Sequence, residues 1–496
     1  MLSMIRKQYL LISILMSLLF GLGSNTVFSN TIIESNIPDI GQRSAMTLSA
    51  DTEEFLGAGL MQQLNASELI TQDWVVNEYL TTLSQKLSLA TQQLNYKLDY
   101  KLDIFGVNSK ELNAFAFFGG HIAVHCGLIL ALQTESELAA VLSHETAHIA
   151  QRHLARIFTT NKKMMPLTYA EILGALVIGA LGSPEAGSHL VTAALGSHVQ
   201  RLINYTREHE QEADRIGIQI LTKAGFDPNA FPLVFRVLSQ STRYNDKPPE
   251  YLLTHPVFES RIADCTNRAE RIPYQQAPDS LFFHLVRARI EVDFETNTKQ
   301  LVAKIEERLK DGRYQNKIAL EYEYALALVR NKQFSQGIKQ MQELKNSHPD
   351  LWIFELSLAE CYFESGNMAE SVSLLKQLYT VYPTQGSIAL SYAEALLQTK
   401  QAKVSEQVLL KFKKKNPHNP TVLQMLVRTY SQLKRPTAVH QTQAEWHYSR
   451  GEYKEAFHQL DIALEHTPAE SRTAQEIRIR KEEIEAIATL QKKVKM

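Results

Sequence analysis

Two histidines four residues apart, with a glutamate between them, offer the most specific chemistry in this chain of 496 residues. They lie in Ser143-His144-Glu145-Thr146-Ala147-His148. On a helix, side chains four apart share a face about one turn apart, so both imidazoles can meet one metal ion. Glu145 stands beside them and can act as general base on an attacking water. The rival is an amphipathic helix carrying two surface histidines. The flanks weigh against it: Leu138, Ala140, Val141, Leu142, Ala147, Ile149 and Ala150 are apolar, and an unpartnered Glu among them is costly to bury. No Gly or Pro interrupts residues 135–158, so one helix is expected across the motif.

A catalytic zinc takes three protein ligands plus water, so a third ligand must lie elsewhere. One known pattern places it six residues after the second His, but that position is Leu154 and position 151 is Gln151. His153 falls one residue out of register. Downstream, residues 205–217 read as the start of another helix, with Glu210 and Asp214 four apart on one face. Glu210 could ligate the metal. Asp214 could hold a ligand His by its other ring nitrogen, or serve as a proton donor. A solvated charged helix is the competing reading.

The elements that must position these groups lie on both sides. Residues 30–52 are polar and read as an arm or loop, and helical patterns follow at 53–64 and 74–89. Alternation over 96–105 predicts a strand with one polar face. Two β-prone runs within 113–124 flank Gly119-Gly120, a hairpin signal. Such a sheet can hold an extended substrate by strand addition. Residues 164–181 are mostly apolar and are broken by Pro184 and Gly187. They read as a packed hairpin or lid rather than an interfacial membrane helix. His189 and His198 read as ordinary histidines.

Composition is globular, 44% hydrophobic and 21% charged, and the length suits two or three domains. A net charge of −1 recommends no nucleic acid. Residues 1–29 have the form of a secretory signal peptide: Arg6 and Lys7, an apolar run from 9 to 22, then small polar residues. The mature chain is therefore expected in an exported compartment, a bacterial periplasm. Cys126, Cys265 and Cys361 are too few and too scattered for a zinc ribbon or a disulfide framework. They read as buried small hydrophobes, and a Cys265–Cys361 bridge has no support from spacing.

From about residue 280 to the end the chain is helical and periodic. Pro349, Pro383 and Pro417 stand 34 apart, as do Ala325, Ala359 and Ala393, each 24 before its Pro. Ala444 precedes Pro468 by the same 24. This is the tetratricopeptide pattern. The gap of 51 from Pro417 to Pro468 predicts one irregular or split helix pair. Residues 281–309 are expected to add an earlier repeat. Stacked pairs form a solenoid with a concave binding face. Lys413, Lys414, Lys415 and the basic tail read as solvated.

Three stretches together resemble the zinc metallopeptidases that include HtpX and the CAAX prenyl proteases: Asn113-Ala114-Phe115-Ala116 with Gly119-Gly120, His144-Glu145-Thr146-Ala147-His148, and Arg207-x-x-Glu210-x-x-Ala213-Asp214. The family has Pro where Phe118 stands and Ser where Thr206 stands. The resemblance implies one Zn2+ per chain on His144, His148 and Glu210, with Glu145 as base and Asp214 as supporting acid. Thr254-His255-Pro256 with Arg261 resembles, more narrowly, periplasmic members that carry C-terminal repeats. There His255 would be a fourth, inhibitory ligand, since a four-ligand zinc leaves no room for water. Arg261 could steady an oxyanion or pair with Asp264 or another acid. The implied fold is an α+β zincin-like metallopeptidase domain, mostly helical with a small sheet, at 30–275, followed by an all-α tetratricopeptide-repeat solenoid at 280–496. The implied activity is a metalloendopeptidase and chaperone acting on unfolded or stalled outer-membrane β-barrel proteins. Its repeats would meet the barrel-assembly machinery, with contact to the outer-membrane surface. The main alternative is a non-proteolytic, zinc-stabilised chaperone or adaptor. A membrane-embedded enzyme is disfavoured by the lack of several ~20-residue apolar spans.

Overall fold

The computed structural model describes residues 48–160, 207–244, 249, 251–252, 255–257, 259–273, 277 and 279–495. The expected signal peptide, most of the polar arm, the apolar stretch at 164–181, His189, His198 and Thr206 lie outside the described residues.

Helix α1 (Ala50–Ser67) starts where Ser49 caps it, its hydroxyl accepting the Thr52 amide at 3.2 Å. Helix α2 (Trp74–Gln93) starts at Asp73, whose carboxylate accepts the amides of Val75 and Val76 at 2.9 and 3.1 Å. Its Val76, Leu80, Leu83 and Leu87 recur at helical spacing and are buried. Strands β1 (Asp103–Val107), β2 (Ala114–Phe117) and β3 (His121–His125) form one sheet in the order β1-β3-β2. β1 is parallel to β3 and β2 antiparallel to it, so β2 is an edge. The strand expected over 96–105 begins only at Asp103. Exposure does alternate before it, with Lys97, Asp99 and Lys101 outside, but among the described residues no strand pairs with that stretch. Alternation chooses faces; a partner is needed to make a ladder. The hairpin signal holds: Gly119 and Gly120 turn at φ 79° and 82°.

After a short α3 (Cys126–Ala131), helix α4 (Glu135–Ala150) carries the His-Glu-x-x-His motif, with Thr134 as its cap. The uninterrupted helix expected over 135–158 is instead broken. Arg152 takes φ 51° and a separate helix α5 (His153–Thr160) starts at the next residue. Helix α6 (Arg207–Lys223) packs along α4, and α7 (Ala230–Tyr244) and α8 (Glu259–Glu270) complete this half.

The rest is paired helices: α9 (Leu281–Phe294) with α10 (Thr298–Lys310), α11 (Lys317–Arg330) with α12 (Phe334–Ser347), α13 (Trp352–Glu364) with α14 (Met368–Val381), and α15 (Gly386–Gln398) with α16 (Ala402–Lys413). Then one extra helix, α17 (Pro420–Gln432), precedes the pair α18 (Pro436–Tyr448) and α19 (Tyr453–Glu465), and α20 (Arg472–Lys495) ends the chain. The extra helix is the half repeat in the long Pro417–Pro468 gap. Ala325, Ala359, Ala393 and Ala444 are buried on the first helix of their pairs, each 12 residues before Gly337, Ser371, Ser405 or Ala456. Small residues on both sides let the helices approach closely. Ser371 and Ser405 donate their hydroxyls to the carbonyls of Ala359 and Ala393 at 2.9 and 3.0 Å. A single hydrophobic core runs from α2 through α4 and α6 into the repeats as far as α17. All three cysteines are free and buried. Among the described residues no helix is long and apolar enough to cross a membrane.

Candidate metal centre

Helix α4 presents His144 and His148 on one face with their Nε2 atoms 3.0 Å apart. Helix α6 adds Glu210, its Oε2 3.5 Å from His144 Nε2 and its Oε1 3.4 Å from His148 Nε2. His255, just before α8, places Nδ1 3.0 Å from Glu210 Oε1 and 3.4 Å from His144 Nε2. Its backbone amide donates to the Tyr251 carbonyl at 2.8 Å, and the Tyr251 ring lies over it at 4.7 Å. One ligand atom from each of these four residues lies within 4.8 Å of all the others. Four ligands bound tetrahedrally at about 2.0 Å stand about 3.3 Å from one another, which is close to the spacing found here. None of the four is more than 2% exposed.

The charge balance fits a divalent cation. Glu145, Glu210 and Asp214 are buried carboxylates, and the buried guanidinium of Arg261 meets the last two. Buried charge without a counter-charge is expensive. Burial pushes Glu210 upward, but the imidazoles of His255, His144 and His148 outweigh it and hold the carboxyl well below its usual range. Burial pushes His148 well below the usual imidazole value, so it is neutral and has a lone pair to give. Burial also opposes charge on His144, yet Asp214 and Glu210 outweigh it and push that imidazole up to about 9. A cation at this point would displace that proton, as ligation requires neutral imidazole.

Glu145 is completely buried. Its Oε2 accepts the Ala116 amide of edge strand β2 at 3.0 Å, and its Oε1 is 3.4 Å from His255 Nε2. Burial raises its pKa against the pull of His255 and His144. Asp214 Oδ1 is 3.0 Å from His144 Nδ1, the orienting arrangement of the two considered for it. Arg261 donates through Nε and Nη2 to Asp214 at 2.7 and 2.8 Å, and through Nη1 to the Pro256 carbonyl at 2.7 Å. Nη1 also lies 2.7 Å from Glu210 Oε2. The structure thus places Arg261 in pairing with acids, though not with Asp264, which pairs with Arg268 at 2.7 Å. Beside β2 a cleft is lined by Ala116, Phe117, Gly119, His148, Arg152 and Leu154.

Two residues that sequence reasoning missed or set aside also meet the centre. His153 Nδ1 lies 2.8 Å from His148 Nδ1, and His153 Nε2 lies 3.2 Å from Glu212 Oε2. The only sequence signal was a third histidine close behind the motif.

A histidine pair and a glutamate gathered beside an edge strand define a metallopeptidase, and comparison with known proteins agrees. The family model described as Peptidase family M48 matches residues 77–269, and one described as Tetratricopeptide repeat matches residues 355–384, the α13–α14 pair. The chain belongs to peptidase family M48. It is 31% identical over 393 residues to the beta-barrel assembly-enhancing protease of Yersinia pestis, covering 79% of this chain and 80% of that one. It is 32% identical over 377 residues to the beta-barrel assembly-enhancing protease of Escherichia coli (strain K12), covering 76% of each.

Proposed function

We propose that this chain is a zinc-dependent endopeptidase of the bacterial periplasm, held latent by His255, which acts on unfolded or stalled outer-membrane β-barrel proteins and promotes their assembly. The observation that carries the reading is the convergence of His144, His148, Glu210 and His255, with Glu145 against the edge of β2. Those four residues would hold the zinc. When bound, zinc lowers the pKa of water and polarises a carbonyl. Glu145 takes the proton of the attacking water, while the Ala116 amide fixes its Oε2. Asp214 orients His144, and Arg261 clamps Asp214 and Glu210 in place. β2 offers an edge to an extended segment, and a stalled β-barrel strand is such a segment with unpaired backbone groups. The names of the two relatives support this substrate class. The repeats then serve as the docking surface for the barrel-assembly machinery near the outer membrane.

With His255 as a fourth ligand no place would remain for water, so the resting state would be closed and displacement of His255 would open the centre. The same closed cluster favours a second reading, a zinc-stabilised chaperone or adaptor without proteolysis. Incubation of the mature chain with an unfolded outer-membrane β-barrel protein separates the two. The peptidase reading expects fragments that a chelator abolishes. Protection from aggregation with no fragments, even after His255→Ala, would favour the chaperone.

A further inference from the structure

His148 is met from behind by a second imidazole. Its Nε2 faces Glu210 and His144, the atoms of the metal cluster. That nitrogen must offer a lone pair to a cation, so the proton sits on Nδ1. Among the described residues Nδ1 meets His153 Nδ1 at 2.8 Å, which must then accept. His153 therefore carries its proton on Nε2 and donates it to Glu212 Oε2 at 3.2 Å. Arg156 donates to the same Glu212 oxygen at 3.0 Å and keeps it an acceptor. The hydrogen bonds run in one direction only. His153 is completely buried, and His209 stacks on its ring with centroids 4.5 Å apart. A left-handed turn at Arg152 separates α4 from α5, and His153 opens α5 within reach of His148.

We infer that His153, oriented by Glu212, is a positioning residue that fixes the tautomer and ring orientation of His148. The inference rests on the reading of His148 as a zinc ligand. His144 receives the same service from a charged group, Asp214, at 3.0 Å. His148 receives it through a neutral ring, which keeps the charge of Glu212 one imidazole away from the metal.

The test is zinc affinity of the full-length protein, read by competition with a chromophoric chelator, for wild type, His153→Leu, His153→Asn and Glu212→Gln. Asn places an acceptor oxygen about where Nδ1 sits; Leu does not. Zinc affinity should fall about 10- to 100-fold in His153→Leu and stay near wild type in His153→Asn. Glu212→Gln, which keeps the side-chain size, should lie at the mild end of that range, about tenfold. It also serves if the Leu variant does not fold. A merely structural role would lower thermal stability of the metal-free protein without this ordering in zinc affinity. Unchanged affinity in His153→Leu and Glu212→Gln, or an Asn variant as weak as the Leu variant, overturns the inference alone. A wild type that binds no zinc overturns the metal reading as well.

Discussion

At the residue scale, Glu145 is the sharpest point of the proposal. Gln in its place keeps an acceptor for the Ala116 amide and removes the base. Glu145→Gln should cut peptide cleavage by about 10²- to 10⁴-fold while zinc stays bound, which degradation assays and metal analysis would read together. Loss of zinc along with cleavage would show that the residue holds the site together instead. Glu210→Gln should do the reverse and weaken zinc affinity first, since it takes away the anionic ligand; unchanged affinity would remove it from the ligand set. His144, Glu145 and His148 were legible as one candidate motif because their spacing sits inside a continuous helix. Spacing left Glu210 and Asp214 level with a solvated charged helix, and likeness to relatives singled them out. His255 was not legible from local pattern, since it meets His144 across 111 residues of chain. Only likeness to relatives pointed to it. His153 was rejected for a sound reason, wrong spacing for a ligand, and the break at Arg152 gave it a different place.

At the element scale, the centre depends on how closely α6 lies on α4. Gly217 makes that approach possible: a Cβ there would stand 3.2 Å from both the backbone nitrogen and Cα of His144 and 3.0 Å from the Phe231 ring. Gly217→Val should therefore push Glu210 away from the histidines and destabilise the fold by about 1–3 kcal/mol. Its measure is zinc affinity beside the thermal midpoint; a variant with both intact would contradict the close packing. In the repeats, Glu323 on α11 is 5% exposed, and burial pushes its carboxyl from 4.5 up to about 7 against the pull of Arg308. A raised carboxyl favours the protonated fold. Its contribution to stability is thus greatest below pH 4.5 and falls as pH rises toward 7. The full cost above that is at most roughly 3 kcal/mol. Glu323→Gln should gain on the wild type in chemical denaturation as pH rises through that window. A difference that does not grow with pH would show that Glu323 is charged and well paired. Helix existence was readable from apolar spacing at 53–64, 74–89, the motif and the repeats, while α3, α7 and α8 were not read. What failed was continuity: among the described residues no strand partners 96–102, and a turn falls inside 135–158. The unpaired helix that shifts the repeat phase was announced by the long gap between Pro417 and Pro468.

At the scale of the whole chain, the 34-residue period announces the repeats but not where they lie. They grip the peptidase half. Arg289 on α9 donates to Asp73, the cap of α2, at 2.6 Å and to Glu360 on α13 at 2.9 Å. Glu78 on α2 accepts the Gly386 and Ser387 amides at 3.2 and 2.8 Å and so caps α15. The last repeats reach α1: Gln62 donates to the Tyr448 carbonyl at 2.9 Å, and Arg450 donates to the Asn65 and Ala66 carbonyls at 3.1 and 3.2 Å. Through Glu53, α1 also pairs with Arg152 at the end of the motif helix, at 2.9 Å. Arg450→Ala should loosen α1 by about 1–2 kcal/mol and speed amide exchange along it. Exchange unchanged in α1 would show that these contacts hold nothing. No local pattern could reveal contacts spanning 386 residues. The central claim is that a zinc peptidase centre is closed by His255. Zinc content and degradation of an unfolded β-barrel protein, measured side by side for wild type and His255→Ala, test it most directly. About one zinc per chain is expected in both, as three ligands suffice, with faster degradation by the variant. Zinc in both proteins with no degradation by either would contradict it.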